Sequence, residues 1–168
     1  GCAVVTTGPG ATNAITGLMG AWQDSIPCLF ISGQVRSGHM SYGKPVRQIG
    51  SQEVNIVDVV KPLTKYAKVV TDPSSIQDEL NKAIKIALSG RPGPVWLDIP
   101  LEYQWGEVPF DKKKCKKIKP IKKNFDNSNE LKSFNKLLSN SKNPIFVIGY
   151  GAILANCEST IRDFITEN

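Results

Sequence analysis

The residues best suited to chemistry form one short run, Thr6-Thr7-Gly8-Pro9-Gly10-Ala11-Thr12-Asn13, set between an apolar stretch at residues 3–5 and a helical pattern from Ala14. Gly8 and Gly10 let the backbone bend tightly and approach a ligand, and Asn13 adds an amide near a helix start whose free N–H groups favour polar or anionic partners. The run differs from the dinucleotide fingerprint: Asn13 stands where the third glycine belongs, and no acidic residue ends a second strand about 20 residues on. His39 is the only histidine, so a histidine triad or a zinc site would have to centre on it. Cys2, Cys28, Cys115 and Cys157 show neither close pairing nor metal-ligand spacing. No metal site is therefore expected within the chain, and a reducing cytoplasmic setting fits the cysteines best.

Composition narrows the function classes further. The chain has 40% hydrophobic residues, 14 glycines and 11 prolines, with no basic start leading into an apolar signal core. Its apolar runs are all shorter than the roughly 18 residues a bilayer span needs. The net charge of +6 is local, because residues 112–123 hold eight lysines and no acid, leaving −2 for the rest. That stretch has no aromatic residue for base stacking, and Pro120 interrupts any basic helix. It reads as a solvated linker at residues 109–128, and a nucleic-acid partner is not expected.

The elements that must position the glycine turn follow from periodicity. Ile15, Leu18, Met19 and Trp22 repeat at helical spacing over 14–24, and Pro27 precedes a buried-strand run at 28–31. A glycine-rich loop covers 33–50, a short helix over 54–60 ends at Pro62, and 66–70 reads as a strand. Asp72-Pro73-Ser74 opens a helix whose stripe is Ile76, Leu80, Ala83, Ile84 and Ala87, closed by Gly90. A strand at 95–100 completes an alternating β and α order, the mark of a parallel sheet. Residues 1–108 thus form one α/β domain, and the same pattern restarts at 129 with a helix over 130–138, a buried strand over 144–148, a glycine turn at 149–152 and a helix over 157–164. That second turn reads equally as a cofactor loop or a plain βα connection. The chain opens on Gly1 at the mouth of a buried strand and stops one helix into the second unit, so an internal segment is expected. With one sheet face uncovered, it should aggregate or dimerise when isolated.

Six motifs in order carry a resemblance: Gly8-Pro9-Gly10-Ala11-Thr12-Asn13, Asp24-Ser25-Ile26-Pro27, Gly33-Gln34-Val35, Gln52-Glu53, Lys61-Pro62 and Gly90-Arg91-Pro92-Gly93-Pro94-Val95. Together they are similar to the thiamine-diphosphate-dependent acetolactate synthase family across roughly residues 1–105. The resemblance implies a three-layer αβα pyrimidine-binding domain followed by the beginning of a Rossmann-like central domain. It also implies thiamine diphosphate held between subunits of a homodimer or homotetramer, with Mg²⁺ bound by a domain outside this chain. Gly8, Pro9, Gly10 and Asn13 match the pyrimidine pocket, and Gln52 matches the residue that reaches the reacting end of the cofactor. Simple turn stiffening is the other reading of Pro9. Arg91 matches an arginine that contacts FAD in flavin-containing members; its other reading is a cap on the preceding helix's carbonyls. The family's activating glutamate lies upstream of residue 1, and Glu53, which aligns within the family's own Gln-Glu pair, is not its replacement.

The implied parent reaction is decarboxylation of a 2-oxo acid such as pyruvate and transfer of the acyl-anion equivalent to a second carbonyl compound, as in branched-chain amino acid biosynthesis. The segment alone is expected to be inactive. Another thiamine-diphosphate lyase or decarboxylase, or a non-catalytic assembly module with this fold, are the competing readings. One departure bears on substrate: the loop at 36–51 is longer than the family pattern and places Ser51 where the family has Phe before Gln52. Its His39, Tyr42, Lys44 and Arg47 suggest an anionic or sugar-derived substrate, against the plainer reading of a surface loop.

Overall fold

The computed structural model describes residues 1–108, 110–112 and 127–167, and the chain falls into two compact units, Gly1–Lys123 and Asn124–Asn168. Most of the lysine-rich stretch lies outside the described residues. In the first unit β1 (Cys2–Val5), β2 (Leu29–Gln34), β3 (Tyr66–Val69) and β4 (Val95–Pro100) pair in parallel in the order β1-β2-β4-β3. The register sets Cys2 opposite Leu29, and both Leu29 and Tyr66 opposite Val95. β4 is central and buried at every position, so its sequence is an almost unbroken apolar run rather than an alternating one.

Helices cover both faces, giving the expected three-layer αβα arrangement. On one side α1 (Pro9–Asn13), α2 (Ile15–Gln23) and α3 (Ile56–Val60) bring Ala11, Leu18, Ile56 and Val60 onto Phe30 and Trp96, whose rings stack at 5.1 Å. On the other, α4 (Ile76–Leu88) lays Ala83 and Ala87 on Val95 and Leu97. Burying a side chain such as Leu18 or Leu97 stabilises the fold by about 2 kcal/mol. α4 does not reach all of edge strand β1, where Val4 remains 75% exposed.

Several boundaries shift for local reasons. The helical run starts at Pro9 rather than Ala14: proline at a first helical position loses no hydrogen bond, so the glycine motif itself coils and Asn13 closes α1 instead of opening a helix. β2 runs three residues beyond the expected 31, to Gln34. Pro62 does not stop the chain's winding, because it sits within a 3-10 turn, Lys61–Leu63, that continues α3. Asp72 accepts from the Ser74 amide at 2.9 Å and opens a 3-10 turn, Pro73–Ser75, leading into α4.

The second unit contains α5 (Ser128–Ser139), α6 (Gly151–Leu154) and α7 (Glu158–Glu167). The strand expected at 144–148 does not form: no described neighbour offers a ladder, and a strand's N–H and C=O groups need one. Its side chains nonetheless alternate. Phe146 packs with Phe134 of α5 and Phe164 of α7, ring centroids 6.5 and 6.0 Å away, while Ile145 and Val147 are 89% and 94% exposed. Among the described residues, no helix is long and apolar enough to cross a membrane.

Candidate functional site

The carboxyl ends of β1, β2 and β4 meet at one edge of the first unit, where open parallel sheets accept ligands. Beyond β1 the chain turns at Gly8, buried and at φ 59°, before Pro9 starts α1. A Cβ on Gly8 would lie 2.1 Å from the Gln52 carbonyl oxygen and 3.1 Å from the Gln52 Cβ, so only glycine fits. Gln52 also has positive φ, 60°, a conformation that costs a non-glycine residue about 1 kcal/mol. Two positive-φ backbone positions 44 residues apart in sequence therefore lean on each other, bringing together the glycine turn and Gln52.

Gly10 lies in the first turn of α1, where a Cβ would meet Thr6 Cγ2 at 2.6 Å. Pro9, Asn13 and Gln52 are all exposed. The edge thus offers an apolar pyrrolidine ring and two side-chain amides that can each donate and accept. That donor set fits a flat heterocycle bearing ring nitrogens and an amino group. Glu53, next to Gln52, is buried and is not placed to exchange a proton with such a ring.

Glu53 has another task. Its Oε1 accepts from the Ser41 amide and from Ser41 Oγ at 2.7 Å, and its Oε2 accepts from Ile49 N at 2.9 Å and Gly50 N at 3.3 Å. Burial pushes the carboxyl upward, but these donors outweigh it and hold Glu53 below the usual range. It pins the middle and the far end of the loop expected at 33–50, which carries a 3-10 turn at Ser37–His39. The basic groups expected to face one substrate divide: His39, Lys44 and Arg47 are exposed, whereas Tyr42 is half-buried and turns inward.

Beneath the edge lies a polar network that sequence reasoning missed. Asp98 of β4, fully buried, accepts from Ser32 Oγ at 2.5 Å, Gln34 Nε2 at 2.8 Å and Tyr42 Oη at 3.4 Å; Trp96 Nε1 donates to Ser32 Oγ at 2.8 Å. Desolvation raises the Asp98 carboxyl to about 6 against the pull of these three donors. Tyr42 is driven up as well, by burial first and then by the Asp98 charge. The legible signal was a lone aspartate inside an apolar strand, a residue type seldom buried without a reason.

Arg91 stands apart from this edge. Its Nε donates to the buried Ser25 Oγ at 2.6 Å, and Ser25 holds positive φ at 58° in the turn after α2. The helix-cap alternative for Arg91 belongs to Lys65 instead, whose Nζ donates to the carbonyls of Ile86 and Ser89 at the end of α4. Trp22, Lys65, Arg91 and Pro92 line a shallow cavity of about 350 Å³.

Residues 1–59, which end just past Gln52, match the family described as thiamine pyrophosphate enzyme, N-terminal TPP binding domain. The chain is 36% identical to the acetolactate synthase large subunit of Haemophilus influenzae, aligned over 98% of this chain and 28% of the relative. It is 34% identical to the acetolactate synthase large subunit of Corynebacterium glutamicum (98% and 25%) and 33% identical to the acetolactate synthase isozyme 3 large subunit of Escherichia coli (98% and 28%). The chain spans about a quarter of the length of these relatives.

Proposed function

We propose, for a chain that carries a thiamine pyrophosphate enzyme N-terminal domain and resembles acetolactate synthase large subunits along its whole length, that it is the pyrimidine-gripping segment of an acetolactate synthase-type enzyme. The observation that carries the proposal is the contact of Gly8 with the Gln52 backbone, which unites the two sequence motifs at the carboxyl edge of the sheet. Thiamine diphosphate, when bound, supplies the electron sink that decarboxylation of a 2-oxo acid requires. Pro9 would pack against its ring and the Asn13 and Gln52 amides would fix the ring's rotation, while Gly8 lets the Gln52 backbone close on the glycine turn.

In this proposal the full-length protein decarboxylates a 2-oxo acid such as pyruvate and transfers the acyl unit to a second carbonyl compound, serving branched-chain amino acid synthesis in the cytoplasm. Mg²⁺ and the activating glutamate come from residues outside this chain, and the cofactor sits at a homodimer or homotetramer interface. Arg91, held through Nε on Ser25, lines the cavity beside Trp22, and its guanidinium would recognise an FAD phosphate or base edge there. The full-length protein, supplied with thiamine diphosphate, Mg²⁺ and pyruvate, should release CO₂ and accumulate acetolactate. Turnover of a different 2-oxo acid would move the reading to another lyase; no turnover of any 2-oxo acid by a folded assembly would leave a non-catalytic module.

A further inference from the structure

We infer that Gln34 is the positioning residue of the pyrimidine edge, a role that rests on the proposed thiamine-diphosphate reading and deepens it. Gln34 is 3% exposed, at the carboxyl end of β2, and touches neither exposed amide of the site. Its side chain joins the segments that carry them. Oε1 accepts from Thr7 Oγ1 and from its neighbour Val35 N, both at 2.9 Å; Nε2 donates to the Val54 carbonyl at 2.9 Å and to Asp98 Oδ2 at 2.8 Å. The partners dictate which way the amide lies: the Val35 N–H can only donate, and the Val54 carbonyl and Asp98 carboxylate can only accept.

Thr7 immediately precedes Gly8, and Val54 follows Gln52 by two residues. One planar amide therefore spans the two chain segments whose backbones collide unless residue 8 is glycine. Tyr42 Oη, 3.3 Å from Gln34 Nε2, ties the 36–51 loop to the same point. No residue lacking both a donor and an acceptor at this reach can hold the Thr7 and Val54 segments together. Leucine has the volume and neither function, and glutamate would set a second carboxylate against Asp98. The strained Gln52 backbone packed on Gly8 persists because something over-determines it, and the Gln34 amide is placed to do so.

The test compares Gln34→Leu with Glu79→Gln, which opens a hydrogen-bonded cluster between β3 and α4, away from the edge. Both are made in the full-length protein, and thiamine diphosphate binding is read by equilibrium dialysis in Mg²⁺, without reference to turnover. Gln34→Leu should weaken binding about tenfold or more, while Glu79→Gln stays within about twofold. Thr7→Val, a near-isosteric change that removes a single bond to Oε1, should weaken binding severalfold and serves if Gln34→Leu does not fold. Unchanged binding in Thr7→Val, or equal losses in Gln34→Leu and Glu79→Gln, overturns the positioning role. Failure of the wild-type protein to bind thiamine diphosphate would instead overturn the functional reading beneath it.

Discussion

Two clusters in the first unit use the same ingredients, a buried carboxylate and a tyrosine hydroxyl, and treat them in opposite ways. Between β3 and α4, Glu79 accepts from Tyr66 Oη at 2.6 Å and pairs with Lys68, while the Lys82 ammonium lies 4.6 Å from the Tyr66 ring centroid. Burial alone would raise Glu79, yet the hydrogen bonds and charges of Lys68, Tyr66 and Lys82 hold it below the usual carboxylate range. At the carboxyl edge, Asp98 has three neutral donors and rises to about 6. The first cluster ties a strand to its helix. The second keeps an electrostatically costly group in the middle of the sheet and uses it to anchor Gln34 beneath the exposed amides. A carboxylate retained at a cost, next to strained backbone, marks where structure has been shaped by something other than stability.

Breaking the edge should have the largest effect. Gly8→Ala places a methyl group 2.1 Å from a backbone oxygen and forces alanine to positive φ, so the first unit should lose about 3 kcal/mol or more in denaturant unfolding. The comparable change at the other cluster, Glu79→Gln, should cost only about 1 kcal/mol, because Lys68 is partly solvated.

The two carboxylates also give opposite pH signatures. Asp98 has a raised folded pKa, so its contribution is complete below about pH 4 and is lost as pH rises through about 6; the displacement corresponds to about 3 kcal/mol. Asp98→Asn should remove that loss, and the stability difference between wild type and variant should change between pH 4 and 7. Glu79 has a lowered pKa, so Glu79→Gln should be most costly above pH 4.5 and converge on wild type as pH falls below it. Urea titrations at four pH values would resolve both slopes. Parallel slopes in the two variants would erase the contrast. The smallest effect is expected at the loop surface. Arg47→Ala in the full-length protein should, if the proposed activity holds, raise KM for an anionic substrate severalfold with no change in melting temperature, and an unchanged KM would assign the exposed part of the loop no substrate role.

How much of this was readable in the sequence depends on the range of the interaction. β4 was expected over the residues it occupies, because a fully buried central strand writes its pattern locally. α4 carried its entry signal, stripe and stop in one consecutive stretch, Asp72 to Gly90. The strand expected at 144–148 failed, since an apolar run states a wish for burial and not which ladder meets it. The site motifs were legible as ordered fragments, and the turn at Gly8 announced a close approach without naming its partner. That partner, the Gln52 carbonyl, and the hub at Gln34 depend on contacts 20 to 64 residues apart in sequence. No local pattern encodes them.

The most direct measurement is backbone hydrogen exchange of the full-length protein with and without thiamine diphosphate and Mg²⁺. Slowed exchange in residues 8–14 and 50–56, with little change across β3 and α4, is the predicted result. Protection absent from both edge segments, or concentrated at residues 66–88, would contradict the placement of the cofactor's pyrimidine ring at the Gly8 and Gln52 edge.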